Sequence, residues 1–224
     1  MSVTLRTIRG EDFDAALSAL IKDTFTKHRR IIFNGNGYSE EWEQEAARRG
    51  LSNLKNSVDA YKTFAQKKNI ELFARHGVMS EVEVLSRQEI LFENYSKIIN
   101  IEAKTMVDMT ARDILPAVHG FVAELAAGVA AKKAAVPGVD VSAETDVITR
   151  LSTLTGETYA IMQQLREAGS KARHQKSAFA MAESFCYEVL PLMCELRAKV
   201  DKMETLTASN RWPMPTYGDL MFNI

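Results

Sequence analysis

One long helical pattern constrains the fold of this chain more than any other feature. It opens at Ser80-Glu81-Val82-Glu83, a capping box in which the serine hydroxyl and the glutamate carboxylate each accept a hydrogen bond from a backbone amide of the first turn. Apolar residues then recur at three- and four-residue steps as far as Leu125. Pro116 lies inside this pattern, so we expect a kink there and not a helix end. Such a helix needs partners of similar length to cover its apolar face.

Two further patterns supply those partners. The first predicts a helix from about Ala143 to Ala168, broken by Gly169 and Ser170, and the second a helix from about Gln175 to Thr207. Short connections between long amphipathic helices indicate antiparallel neighbours. We therefore predict an all-α fold, with an elongated antiparallel three-helix bundle preceded by a smaller, irregular helical lobe.

The lobe is predicted from shorter elements. A first helix ending near Arg30 carries apolar residues at helical spacing, which we interpret as one buried stripe: Phe13, Ala16, Leu17, Leu20, Ile21 and Phe25. Residues 31–33 resemble a short strand, residues 34–37 a tight turn, and Ser39 a cap for the next helix. The predicted division is 1–38 (helix plus turn), 39–79 (short-helix lobe), 80–207 (long-helix bundle) and 208–224 (docked tail).

Composition narrows the class of protein. The 224 residues include 28 basic and 29 acidic side chains, and a net charge of −1 argues against a nucleic-acid partner. No stretch offers the run of about 18 uncharged apolar residues that a membrane span needs, so no membrane partner is expected. Cys186 and Cys194 would lie roughly 12 Å apart on one helix, too far for a disulfide. Read as buried thiols, they fit a cytoplasmic location.

The residues offer little chemistry of their own. His28, His76, His119 and His174 are scattered without the spacing of metal ligands. The acidic and basic residues of the longest helix mostly stand four apart, as in ordinary intrahelical ion pairs. We therefore predict no catalytic, cofactor-binding or metal site within this chain.

The C-terminal tail is the exception to the helical pattern. Two prolines stop any helix there, yet apolar and aromatic residues are dense, as expected of a segment that docks on a surface. The candidate interface residues are Trp212, Pro213, Pro215, Tyr217, Asp219 and Phe222.

Several short blocks, in order along the chain, resemble one family. They are Ile31-Ile32-Phe33-Asn34-Gly35-Asn36-Gly37-Tyr38-Ser39 with Glu41-Trp42; Arg48-Arg49-Gly50-Leu51 with Asn53-Leu54-Lys55; Glu71-Leu72-Phe73 with His76-Gly77-Val78; Ser86-Arg87 with Glu89-Ile90; Asn94-Tyr95 with Ile101-Glu102-Ala103 and Thr105-Met106; Ile114-Leu115-Pro116-Ala117; and Trp212-Pro213 with Pro215-Thr216-Tyr217 and Asp219-Leu220. Together they resemble the C-terminal region of a type III glutamine synthetase, the long bacterial form of that enzyme.

The resemblance implies a function that the residues alone do not. Glutamine synthetases are ATP-dependent glutamate–ammonia ligases that use Mg2+ or Mn2+, and their catalytic residues lie upstream of the region matched here. The segment would then be non-catalytic by itself and would help assemble a homo-oligomer, with the catalytic domain of the same protein and neighbouring subunits as partners. Residues before about Arg30 would correspond to the last helices of the catalytic domain, so that 1–38 would be the end of a catalytic-domain-like region. The alternative is a stand-alone helical adaptor that binds a partner through its bundle groove or its Trp-Pro tail.

Overall fold

The computed structural model describes residues 12–222, apart from the side chain of Tyr217. Within that range the chain forms helices and no strand, which confirms the all-α class. The α-helices are α1 (Phe13–Lys27), α2 (Glu40–Arg48), α3 (Ser57–Phe64), α4 (Lys67–Arg75), α5 (Glu81–Met109), α6 (Leu115–Ala135), α7 (Ser142–Arg173), α8 (Ala178–Ser184), α9 (Leu190–Leu206) and α10 (Tyr217–Met221). The strand-like reading of residues 31–33 is wrong. Arg29–Ile31 instead forms a 3-10 turn, and no described strand lies beside it to pair with.

The chain divides into two compact units. The first ends at Lys55 and the second begins at Asn56. The second unit contains all the long helices and is described by itself below. The finer four-part division and the three-helix bundle remain predictions.

Local capping sets the starts of the helices, as the sequence predicted. Ser39 caps α2, because its hydroxyl accepts a hydrogen bond of 3.4 Å from the Trp42 amide. Ser80 and Glu83 form the predicted capping box at the start of α5, and Glu83 accepts a bond of 2.7 Å from the Ser80 amide. These hydrogen bonds are made within one turn, so they form regardless of what the helices pack against.

A widened helical turn precedes each of the two mid-helix prolines. The π turn Thr110–Ile114 joins α5 to α6 just before Leu115-Pro116, and the π turn Phe185–Val189 joins α8 to α9 just before Leu190-Pro191. A proline ring clashes with the carbonyl four residues earlier, and a wider turn moves that carbonyl aside. The helical span therefore continues past Pro116, as predicted.

The core of the second unit lies around α7, which packs against α5, α6 and α9. Its largest fully buried side chains include Leu151, Leu165, Phe185, Leu196 and Met203. Helix α7 does not break where the sequence predicted a break, but runs on to Arg173. Both Gly169 and Ala172 are buried on its inner face, so packing outweighs the low helix propensity of the glycine.

Helix α1, in the first unit, differs most from its predicted environment. The predicted buried stripe is largely open to solvent: Phe13, Leu17, Ile21 and Phe25 are 55%, 36%, 48% and 61% exposed, and of the stripe only Ala16 is buried. Residues 28–55 do not cover this face. A periodic apolar pattern reports that a face suits burial, but not which surface covers it.

The two cysteines also differ from each other. Cys186 is buried against Val58, Phe92 and Ala182, as predicted, whereas Cys194 is exposed, so its reading as a buried thiol is wrong. Cys194 lies outside the buried face of α9, which is formed by Met193, Leu196, Val200 and Met203.

Among residues 12–222, one helical span satisfies the length and composition of a membrane crossing. It runs 55 residues from Glu81 to Ala135, and 17% of its most apolar window is buried. Ile114, Leu115 and Val118 of this span lie in the core of the second unit, and Glu124 forms an ion pair with Arg211. These are the contacts of a helix that packs on its own chain, and length and composition alone are weak grounds for a membrane span.

Candidate interface at the C-terminal tail

The base of the tail is held against the second unit. After α9, the 3-10 turn Ser209–Arg211 brings the Arg211 guanidinium to within 2.9 Å of the Glu124 carboxylate on α6. Trp212 and Met214 are partly buried and pack against the main core. The sequence predicted docking of Trp212 but neither that of Met214 nor the ion pair, since their partners lie far away along the chain.

The Trp212 indole has one unusual feature. Its Nε1 atom is buried and finds no hydrogen-bond acceptor among residues 12–222. Leaving a buried donor unpaired costs about 1–3 kcal/mol, so the apolar contacts of the ring must outweigh that cost. Trp212 is therefore held by packing and not by a polar anchor.

The tip of the tail is a short helix with its own cap. The Thr216 amide donates a hydrogen bond of 2.7 Å to Oδ2 of Asp219, and the Asp219 amide donates one of 3.2 Å to the Thr216 hydroxyl. The Thr216 hydroxyl also donates a hydrogen bond of 2.7 Å to Oδ2 of Asp219, and this bond, followed by the one from the Thr216 amide, lowers the pKa of the Asp219 carboxyl. The carboxylate of Asp219 is thus engaged in starting α10.

Beyond this cap the tail exposes its apolar side chains. Leu220, Met221 and Phe222 are 66%, 71% and 71% exposed. Pro213 and Pro215 are also exposed, and with Glu204, Thr207 and Asp219 they line an open concavity of about 650 Å³. Of the predicted interface residues, Trp212 faces the chain's own core and Phe222 faces solvent, while the side chain of Tyr217 lies outside the described residues.

The described residues do not form the metal site that the glutamine synthetase resemblance implies for a whole enzyme. Across residues 12–222, no three His, Cys, Asp or Glu side chains come close enough together to hold a metal ion. The donor set needed for Mg2+ or Mn2+ therefore does not fit this part of the chain.

Comparison with known families identifies the class of this helical domain. A family model described as the glutamine synthetase C-terminal domain matches residues 16–133, which is more than half of the chain. The chain belongs to this family of glutamine synthetase C-terminal domains. The resemblance first noted from short sequence blocks is confirmed.

Curated relatives show which glutamine synthetases are similar. The chain is 34% identical to a glutamine synthetase of Butyrivibrio fibrisolvens over 224 residues, covering 100% of this chain and 32% of that protein. It is 31% identical to a type-3 glutamine synthetase of Dictyostelium discoideum, covering 97% of this chain and 30% of that protein. It is 26% identical to a glutamine synthetase of Bacteroides fragilis, covering 93% of this chain and 29% of that protein. The chain thus spans about a third of the length of these relatives.

Proposed function

We propose that this chain is the C-terminal helical part of a glutamine synthetase subunit and that it serves assembly, with its tail tip packing on the catalytic domain or a neighbouring subunit. The observation that carries this proposal is the contrast within the tail. Trp212 and Met214 anchor its base, while Leu220, Met221 and Phe222 remain exposed on a capped helix. An exposed apolar tip on a capped helix is suited to a protein contact.

Helix α1 supports a second contact, toward the catalytic domain. Its apolar face presents Phe13, Leu17, Ile21 and Phe25 at four-residue steps, the pattern of a helix that packs against another element. In a whole subunit, the catalytic domain would lie upstream of this helix. We infer that the α1 face is covered by that domain.

The activity of the whole subunit follows from family membership and belongs to this proposal. The subunit would join glutamate and ammonia to form glutamine at the expense of ATP, with Mg2+ or Mn2+ held by residues outside this chain. Its location would be cytoplasmic. The 224-residue chain would be inactive alone, and measurable glutamine formation by it would contradict this assignment.

The assembly role can be tested in the full-length subunit. The variant Leu220→Ser, Met221→Ser, Phe222→Ser removes the apolar tip and leaves the Thr216–Asp219 cap in place. A matched control is Val78→Ser, Val82→Ser, Leu85→Ser, which changes three comparably exposed aliphatic side chains elsewhere in the second unit. Light scattering should show that the tip variant forms smaller particles than the wild type and the control. An unchanged mass for the tip variant would remove the tip from assembly.

The stand-alone adaptor remains the competing proposal. It is less well supported, because the Trp212 and Met214 side chains are engaged by the chain's own core and are not free to enter a partner's groove. The genomic sequence upstream of Met1 distinguishes the two proposals, because an in-frame synthetase domain there would exclude a stand-alone adaptor.

A further inference from the structure

A cationic groove lies between α5 and α7 in the second unit, away from the tail. Its floor is apolar and mostly buried, and is formed by Ala103, Val107, Ala111, Leu165 and the backbone at Gly169. Its volume is about 390 Å³. Binding sites for small molecules commonly begin at about 300 Å³, so the groove is large enough for a compact ligand.

The rim of the groove carries an excess of positive charge. Lys104 and Arg112 approach from the α5 side, Arg166 and Arg173 from α7, and Asp108 is the single acidic lining residue. This concentration contrasts with the near-neutral chain, whose net charge is −1. Side chains of one charge that line a concave surface raise the local concentration of small ions of the opposite charge.

Few of these cations are neutralised by the protein. Arg112 lies 3.4 Å from Asp108, whereas Arg173 bonds to the neutral amide oxygen of Asn100 at 3.1 Å. Arg166 has only a 3.5 Å contact with the amide oxygen of Gln163. The ammonium group of Lys104 has no ion-pair or hydrogen-bond partner among residues 12–222. Three positive charges at the groove are therefore left without a carboxylate.

The backbone beside the groove is also irregular. Ala111 and Arg112 belong to the π turn Thr110–Ile114, so the wider turn forms one wall. Single π turns inside helices occur frequently at functional sites, because the extra residue redirects side chains that a regular helix would point elsewhere. Here the turn places Arg112 on the rim.

We propose that this groove binds a small organic anion that carries two or more phosphate or carboxylate groups. Arginine guanidinium groups pair with such groups through two parallel hydrogen bonds, and Lys104 adds a point charge. The apolar floor accepts the carbon skeleton of the ligand. The half-enclosed shape and small volume favour a compact molecule over a nucleic acid, which the overall charge also disfavours. This site is independent of the assembly role proposed above.

The test uses pyrophosphate and citrate as probes of the two anion chemistries. Amide NMR of the 224-residue chain should show saturable shifts at Gly169 and Ala103 in the floor. Isothermal titration should show that Arg166→Gln, Arg173→Gln weakens binding at least tenfold. Arg150→Gln is the matched control, because Arg150 is an exposed arginine of the same helix that pairs with Asp146 outside the groove.

Each outcome bears on the proposal. Saturable binding of one probe alone supports the site and assigns its chemistry to phosphate or to carboxylate. Binding that Arg150→Gln weakens as much as the double variant is non-specific and overturns the proposal. The absence of saturable shifts at millimolar concentrations of both probes overturns it as well. Circular dichroism of the variants checks that they fold, as expected of exposed substitutions.

Discussion

The Tyr187 hydroxyl donates a hydrogen bond of 2.6 Å to Oδ2 of Asp59 and thereby ties helix α3 to the π turn between α8 and α9. The Asn56 side chain donates to the same oxygen at 2.7 Å. Lys62 lies 3.3 Å from Asp59 and 2.8 Å from Glu183. The bond from Tyr187 is the main reason that the pKa of Asp59 is lowered, and it raises the pKa of Tyr187. The short helix α3 is thus fastened to the long helices by a polar cluster.

We expect Tyr187→Phe to lower the unfolding temperature of the chain, because it leaves the Asp59 carboxylate without its closest donor. Asp59→Asn should do the same, and the double variant should lose less than the sum of the two, since both changes break one bond. Calorimetry measures all three. The control Tyr159→Phe removes an exposed hydroxyl on α7 and should leave the temperature unchanged. If the double variant loses as much as the two single variants together, Tyr187 and Asp59 do not stabilise the chain through a shared bond.

The ion pairs of Glu45 predict that the stability of the first unit falls at acid pH. It accepts hydrogen bonds from Arg48 at 2.6 Å and from Arg49 at 2.5 Å, and these lower its pKa from 4.5 to about 2. A carboxyl with a lowered folded pKa stabilises the fold fully above its unfolded pKa. That contribution is lost as the pH falls from about 4.5 to about 2.

This dependence can be followed with 5-fluorotryptophan NMR, which separates the Trp42 signal of the first unit from that of Trp212. We expect the stability of the first unit to decrease less steeply in Glu45→Gln than in the wild type as the pH is lowered from 4.5 to about 2. The control Glu40→Gln changes an exposed glutamate of the same helix and should keep the wild-type slope. An equal slope for Glu45→Gln and the wild type would show that the two ion pairs do not contribute.

Leu151 should be among the most sensitive core positions. Its side chain is fully buried in the core around α7. Leu151→Ala should destabilise the chain by about 2–5 kcal/mol, because it removes buried apolar surface and leaves a cavity. Leu85→Ala, at a half-exposed position of α5, should change stability by no more than about 0.5 kcal/mol. Urea unfolding measures both, and similar losses would contradict the assigned core.

Local signals explain what the sequence predicted well. Ser39 and Ser80 start their helices through bonds made within one turn, and the apolar periodicity after Ser80 requires no knowledge of a partner. The all-α class follows from such signals. Gly169 was misread as a helix break, because its burial depends on residues that lie elsewhere in the sequence.

Features that combine distant segments were harder to predict. The cationic groove unites residues near Lys104 with residues near Arg173, whereas the sequence showed the charged residues of the longest helix only as intrahelical ion pairs. The apolar periodicity of α1 predicted a buried face, but periodicity does not say whether the element that covers such a face lies in the same unit. In the tail, density of apolar residues predicted docking. It did not separate the anchored Trp212 from the exposed Phe222.

The central claim is that the tail tip is a contact surface of an assembled glutamine synthetase, and side-chain footprinting tests it most directly. Hydroxyl radicals should oxidise Met221 and Phe222 readily in the 224-residue chain, where each is 71% exposed. In the assembled full-length enzyme, both should be protected several-fold relative to Tyr159, an exposed residue on α7 that serves as the internal reference. Equal oxidation of the tip in the two samples would contradict the claim.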